Sequence, residues 1–182
     1  MPRSEVVGCR VVLGAGDTSG AHVGVATPAG YGGEGVFDNF WQLIERWKIT
    51  FIITVPTAIS ALMQRPVDAD VSSVKTSFSG SAPLPQELFN RFEKASGVTI
   101  IEGYGLTEAT CLVSINPPDG EKKIGSIGLP FPYTEIKIMS VATGKECPMG
   151  EVGEICVSNP GVSMGETYTE KEKNADLFYS GP

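Results

Sequence analysis

Tyr104, Thr107 and Glu108 stand within five residues of one another in the run Gly103-Tyr-Gly-Leu-Thr-Glu108, and each carries a group suited to one part of a nucleotide. A tyrosine ring offers a flat apolar face to a base. A threonine hydroxyl can donate to an anionic oxygen, and a glutamate carboxylate can hold a hard divalent cation that bridges phosphates. Gly103 and Gly105 flank the ring, so the backbone on both sides can take positive φ or come close to a ligand. The same residues also allow a plainer reading, a strand-to-loop turn with Tyr104 packed inward and Glu108 solvated. A second run, Ser79-Gly-Ser-Ala-Pro-Leu-Pro85, places Gly80, Ser81 and Ala82 together. Side chains this small let a flat ring or an acyl chain lie against the main chain, whose N–H and C=O groups can read the ring's edge. The alternative there is a simple connection in which Pro83 and Pro85 open a helix.

Both runs need elements to position them. Residues 98–102 form an apolar stretch that reads as a buried strand, after which Gly-Tyr-Gly-Leu-Thr-Glu has no periodicity and reads as a loop at the strand's end. Residues 74–79 read as another strand, ending at the second run. Between these, Gln86 to Ser96 is a helix with Leu88, Phe89 and Phe92 facing inward and Gly97 as its C-cap. Upstream, Phe37, Phe40, Trp41, Ile44 and Trp47 recur at three- and four-residue steps, which predicts a helix over 36–48 with one wide apolar face and both tryptophans in the core. Residues 49–55 are apolar and rich in β-branched side chains, as in a parallel strand covered on both faces. Pro56 then opens a helix through Gln64. Strand, helix, strand, helix, strand in succession argues for a parallel sheet with flanking helices, an α/β class in which both candidate loops line one crevice.

Beyond Thr110 the pattern changes. Cys111 to Ile115 reads as a short strand, and 116–123 as a turn-rich loop. Tyr133 to Met139 alternates, with Glu135 and Lys137 on its polar side, and pairs with 152–157 across a turn at Thr143-Gly-Lys145. The expected division is residues 1–130 as the segment carrying the candidate loops, and 131–182 as the start of a small β subdomain with a loosely held tail from Gly165.

Composition narrows the function classes. With 41% hydrophobic and 19% charged residues over 182 positions, the chain can bury one sizeable core. A net charge of −7 and scattered Lys and Arg argue against nucleic-acid binding. The four cysteines, Cys9, Cys111, Cys147 and Cys156, form no close pair and indicate neither a zinc site nor a disulfide framework. No stretch is long and apolar enough to span a bilayer, so a cytoplasmic, soluble protein is expected. Gly14, Gly16 and Gly20 after a short apolar run raise a dinucleotide-binding oxidoreductase as a rival. The residues that follow contain no amphipathic helix and no second strand ending in an acid, so that fingerprint fails on context. Asp17 and His22, the only histidine, read as a loop carboxylate and a strand-start side chain.

Taken together, Gly103-Tyr-Gly-Leu-Thr-Glu-Ala109, the earlier Ser79-to-Pro85 run and Val55-Pro-Thr57 resemble the adenylate-forming superfamily of acyl-CoA synthetases, luciferases and peptide-synthetase adenylation domains. Around Thr27-Pro-Ala-Gly-Tyr31 and Asn116-Pro-Pro-Asp-Gly120 the chain is most similar to bacterial acyl-CoA synthetases. The resemblance implies a large enzyme that uses ATP, magnesium and coenzyme A to turn a carboxylate into an acyl-adenylate and then a thioester. It implies that Tyr104, flanked by Gly103 and Gly105, stacks on adenine, and that Gly80, Ser81 and Ala82 line the base and acyl pocket. Thr107 then donates to phosphate and Glu108 holds magnesium, the two residues that act in catalysis. The family's Lys-ended phosphate loop, its Thr-Gly-Asp ribose motif and its smaller C-terminal domain find no counterpart here. The expectation is therefore an internal fragment, incompetent alone and prone to self-association. The alternative is a non-catalytic nucleotide- or acyl-binding module on the same fold.

Overall fold

The β-branched and apolar runs become strands, and two of them carry the candidate site. The computed structural model describes residues 18–163, 168 and 171–178. Gly14, Gly16, Asp17 and Cys9 lie outside the described residues, as do 164–167 in the expected tail. A five-stranded sheet has the order β1-β2-β3-β4-β5, with β1 at Phe51–Thr54, β2 at Thr76–Ser79, β3 at Ile100–Leu106, β4 at Cys111–Ile115 and β5 at Leu129–Pro130. β1, β2 and β3 run parallel, with Thr54 beside Ser79 and Ser79 beside Glu102. β4 and β5 add antiparallel strands on the far side of β3. The architecture is therefore mixed α/β, with a parallel core extended by a hairpin.

Three helices precede or separate the parallel strands: α1 at Phe40–Trp47, α2 at Pro56–Leu62 and α3 at Gln86–Ser96. α2 starts on Pro56, whose missing N–H costs nothing in a first turn. α3 has Glu87 in its first turn and stops at Gly97, which takes a left-handed φ of 68° and donates its N–H to the Glu93 carbonyl at 2.8 Å. Alternation along the strands sends Ile52 and Ile100 to one face, where they join Phe40, Trp41 and Ile44 of α1, Ile59 and Leu62 of α2, and Phe89 and Phe92 of α3 in one core. Fully burying one such side chain contributes roughly 1.5–3 kcal/mol. The guanidinium of Arg91 donates to the Met63 carbonyl and so ties α3 to the end of α2.

Four expectations are corrected. The first helix begins at Phe40, not 36. Residues 34–39 are turns in which the Asn39 side chain donates to the Gly35 carbonyl at 2.8 Å, a local bond that competes with helix. Trp47 is 67% exposed, because the last turn of α1 outruns the core and its ring lies beneath the Arg46 guanidinium instead. β1 is not covered on both faces: Phe51 is 48% exposed and Ile53 half-buried, since the helical core gathers on the Ile52 side. Residues 21–27 form no strand, and His22 is exposed.

β6 (Glu135–Met139) and β7 (Glu154–Ser158) pair antiparallel in a separate two-stranded sheet. Glu135 and Lys137 share its exposed face, 3.1 Å apart. The Thr143-Gly-Lys145 turn is present, but it closes Met139 onto Glu146 rather than onto β7, which enters after a further loop. Within the expected loose tail, α4 (Lys171–Leu177) is helical, and its buried Asn174 exchanges hydrogen bonds with the main chain of Tyr168.

Candidate functional site

The Gly-Tyr-Gly-Leu run is strand rather than loop. β3 continues through Leu106, and Gly103 to Leu106 pair with Ile115 to Cys111 of β4. The glycines explain why. A Cβ on Gly105 would stand 1.6 Å from the Cys111 carbonyl oxygen, and one on Gly103 would stand 2.9 Å from the Ser114 carbonyl oxygen. Glycine here admits a neighbouring backbone rather than a left-handed turn. The register shifts between Tyr104 and Gly105, an irregularity of the kind that bends a strand and re-aims a side chain. Tyr104, opposite Ser114, is half-buried at this shift.

The second run meets the first directly. Gly80 is buried just after β2, and a Cβ there would lie 3.6 Å from the Gly103 carbonyl oxygen. Ser81, at φ 68°, and Ala82 then turn outward and are exposed. Gly80 and Gly103 are thus brought together, with Tyr104 one residue on and Ser81 and Ala82 on the adjoining turn.

Sequence reasoning missed the residue that ties these parts. Glu102 is only 9% exposed, and its carboxylate accepts from the Leu84 N–H at 3.4 Å and from the Gly125 N–H at 2.9 Å. Its main-chain carbonyl accepts from the Asn116 N–H at 2.8 Å and from Asn116 Nδ2 at 3.2 Å. Asn116 in turn donates to the Ser126 carbonyl at 2.7 Å and accepts from the Lys123 N–H at 3.1 Å. One buried carboxylate and one buried amide therefore fix both the turn after Gly80 and the 116–126 loop to β3. A charged acceptor with two main-chain donors is a strong tie once water is excluded. The signal was present, since Glu102 is the one acid in the apolar stretch 98–102.

Thr107, Glu108 and Ala109 form a 3-10 turn at the end of β3, anchored by buried Ala109. Thr107 is exposed, and its hydroxyl-bearing side chain is accessible to solvent. Glu108 is more constrained: its carbonyl accepts from Ser163 N–H at 2.8 Å and Ser163 Oγ at 3.1 Å, and its carboxylate accepts from the Tyr168 hydroxyl. That hydrogen bond, together with the carboxylate's charge, pushes the Tyr168 phenol above its ordinary value. Thr110 donates to the Gly161 carbonyl, so residues 161–163 lie along the turn.

Among the described residues no group of three or more His, Cys, Asp or Glu could hold a metal. A lone carboxylate suits magnesium when phosphates and waters complete the shell, and Glu108 fits that pattern as a single protein ligand. Magnesium bound there would neutralise phosphate charge.

Gly80, just after β2, thus meets Gly103, within β3, beside a half-buried tyrosine, and a hydroxyl and a carboxylate follow on the turn after β3. Residues 3–165 match the profile of a family described as AMP-binding enzyme. The chain belongs to the AMP-binding enzyme family. Among its relatives is a marinolic acid–CoA ligase of Pseudoalteromonas sp. (strain SANK 73390), 34% identical over 149 residues, covering 79% of this chain and 23% of that protein. A solved long-chain-fatty-acid-CoA ligase from Archaeoglobus fulgidus superposes with a TM-score of 0.73 at 26% identity, over 80% of this chain and 31% of that one. An anthranilate CoA ligase in complex with anthranoyl-AMP gives a TM-score of 0.64 at 30% identity, over 74% and 26%. The chain thus spans about a quarter of the length of the curated relatives it matches. All three of these proteins are CoA ligases by name. No helix among the described residues is long and apolar enough to cross a membrane.

Proposed function

We propose that this chain supplies the adenine-, phosphate- and acyl-facing part of an ATP-dependent acyl-CoA ligase. In that reaction a carboxylate attacks the α-phosphate of ATP, pyrophosphate leaves, and the acyl group of the adenylate passes to the thiol of coenzyme A. Both first reactants are anions, so oriented donors and a cation must offset their repulsion. In this reading Tyr104 stacks on adenine, with Gly103 and Gly105 giving the base and its neighbours room. Gly80, Ser81 and Ala82 line the edge of the base and the start of the acyl group. Thr107 donates to a phosphate oxygen, and Glu108 holds magnesium after release from Tyr168. Residues 131–182 serve as the start of the β-rich subdomain that follows the nucleotide-binding part.

The observation that carries this reading is the meeting of Gly80, just after β2, with Gly103, where the parallel pairing of β3 with β2 gives way to antiparallel pairing with β4. Calorimetric titration of the chain with AMP and with Mg·ATP tests it. Tyr104→Ala is expected to weaken AMP binding by about 1 kcal/mol, the scale of a stacked aromatic contact. Equal affinity in mutant and wild type would mean that the ring does not touch the base. Glu108→Gln is expected to remove the magnesium-dependent gain in ATP affinity while leaving AMP nearly unaffected. A parallel loss for both ligands would contradict the metal role.

A further inference from the structure

The turn that carries Thr107 and Glu108 is held by the chain that leaves the second sheet. After β7, the Asn159 side chain accepts from the Gly161 N–H at 2.8 Å and its carbonyl from the Val162 N–H at 3.2 Å, so the backbone reverses there. Residues 161–163 then run so close to the turn that a Cβ on Gly161 would stand 3.1 Å from the Ala109 carbonyl oxygen. Ser163 donates to the Glu108 carbonyl through both its N–H and its hydroxyl, and Thr110 donates to the Gly161 carbonyl. The chain comes back to Glu108 a second time at Tyr168, whose hydroxyl donates to the carboxylate. Tyr168 is itself held in place. Its N–H donates to Asn174 Oδ1 at 3.0 Å and its carbonyl accepts from Asn174 Nδ2 at 2.7 Å, and Asn174 is a buried residue of α4. The main chain and the side chain of Glu108 are therefore both engaged by residues that follow β7, whereas its neighbour Thr107 is exposed.

We propose that Tyr168 is a stopper on the cation-binding carboxylate of Glu108: it holds that carboxylate against the chain after β7, and a divalent cation binds only when the phenol lets go. The inference rests on the metal role assigned to Glu108 above. Magnesium demands near-ideal octahedral geometry and gives up its waters reluctantly, so a protein oxygen must be offered to it in the right direction. A carboxylate turned toward a phenol is offered elsewhere. The O–H also presents positive charge to the very group that the cation needs, so donor and cation oppose each other. Tyr168 can act this way because it is not a free-swinging side chain. The two hydrogen bonds with Asn174 fix its main chain, and a donor held ready in this manner loses less freedom on making its contact.

The test is calorimetric titration of the chain with AMP and with ATP, the latter with and without magnesium, for wild type, Tyr168→Phe, Glu108→Gln and the double variant. The readout is the gain in ATP affinity that magnesium brings within each protein, so that any general weakening cancels. Tyr168→Phe keeps the ring and removes only the donor. It is expected to raise the gain by about three- to tenfold, the scale of a hydrogen bond to a charged group reduced by solvent, since Tyr168 is 40% exposed. AMP affinity is expected to stay as in wild type, and in the Glu108→Gln background the phenylalanine is expected to change nothing. An equal gain in wild type and Tyr168→Phe, abolished by Glu108→Gln, would overturn the stopper and leave the metal role of Glu108 standing. A smaller gain in Tyr168→Phe would overturn it as well, and would make the phenol a support for the bound carboxylate. An effect that persists in the double variant would show that Tyr168 acts other than through Glu108. No gain in wild type or in Tyr168→Phe, with AMP still bound, would overturn the stopper and the metal role together. Failure of the folded chain to bind any of these ligands would overturn the nucleotide reading itself.

Discussion

Gly105 and Gly80 are both glycines of the candidate site, and they are crowded by different kinds of neighbour. At Gly105 the obstacle is the Cys111 carbonyl, part of the β3–β4 ladder, and it cannot move without breaking the pairing. At Gly80 the close obstacle is the far edge of one phenylalanine ring, with the Gly103 carbonyl at an ordinary 3.6 Å. The first glycine belongs to the scaffold that holds Tyr104. The second lines a seam whose width depends on a single side chain. The candidate site thus joins a stiff strand to a turn crowded by a side chain, and substitutions can tell the two apart.

The largest effect is expected at the scaffold. Gly105→Ala puts a methyl group on a backbone oxygen and is expected to cost about 3 kcal/mol or more, a substantial share of the stability of a typical domain. The denaturant midpoint should fall with little change in slope. A midpoint within error of wild type would show that the two strands separate easily, and the contrast with Gly80 would be lost.

How much of this was legible in the sequence follows the same division. Strand positions, the Pro56 start and the Gly97 stop of α3 could be read because each depends on local signals: β-branched runs, a fixed proline φ, a residue free to turn left-handed. The Gly-Tyr-Gly run could not be read correctly, because glycine marks both a turn and a close backbone approach, and only the partner strand decides between them. Trp47 continues the periodicity of α1 but lies beyond the core's edge, and periodicity says nothing of where a core ends. Glu102 looked like the last residue before a loop. Its burial depends on main-chain donors from Leu84 and Gly125, one about twenty residues before it and the other about as far after. The motif order found the family. The long-range ties that assemble the site are set by topology.

A smaller effect is expected at the seam. Gly80→Ala is expected to cost about 1 kcal/mol in the wild-type background, because the Phe78 ring must give by a few tenths of an ångström. The same change in a Phe78→Leu background should cost less, since leucine does not reach as far over Gly80. The difference between the two backgrounds is a direct measure of the contact, as neighbouring residues in a double-mutant cycle are not additive. Equal costs in both would assign the strain at Gly80 to the backbone, and Gly80 would then resemble Gly105 after all.

The smallest effect is expected at Ser81, which sits on the turn between the two regions. Its φ of 68° is a left-handed conformation that an L-residue with a side chain adopts at a cost of about 1 kcal/mol. Glycine removes that cost but adds freedom to the unfolded chain, and the two effects oppose each other. Ser81→Gly is therefore expected to raise stability by roughly 0.5 kcal/mol at most, readable as a small rise in denaturant midpoint. Strain of this kind persists where the surroundings hold it, and here β2 and the Glu102–Leu84 hydrogen bond fix the turn's two ends. If the glycine variant gains stability but binds AMP more weakly, the strained serine is holding the seam open in a preorganised shape. If it gains stability and binds AMP equally well, the preorganisation resides in β3 alone, and the turn after β2 only connects.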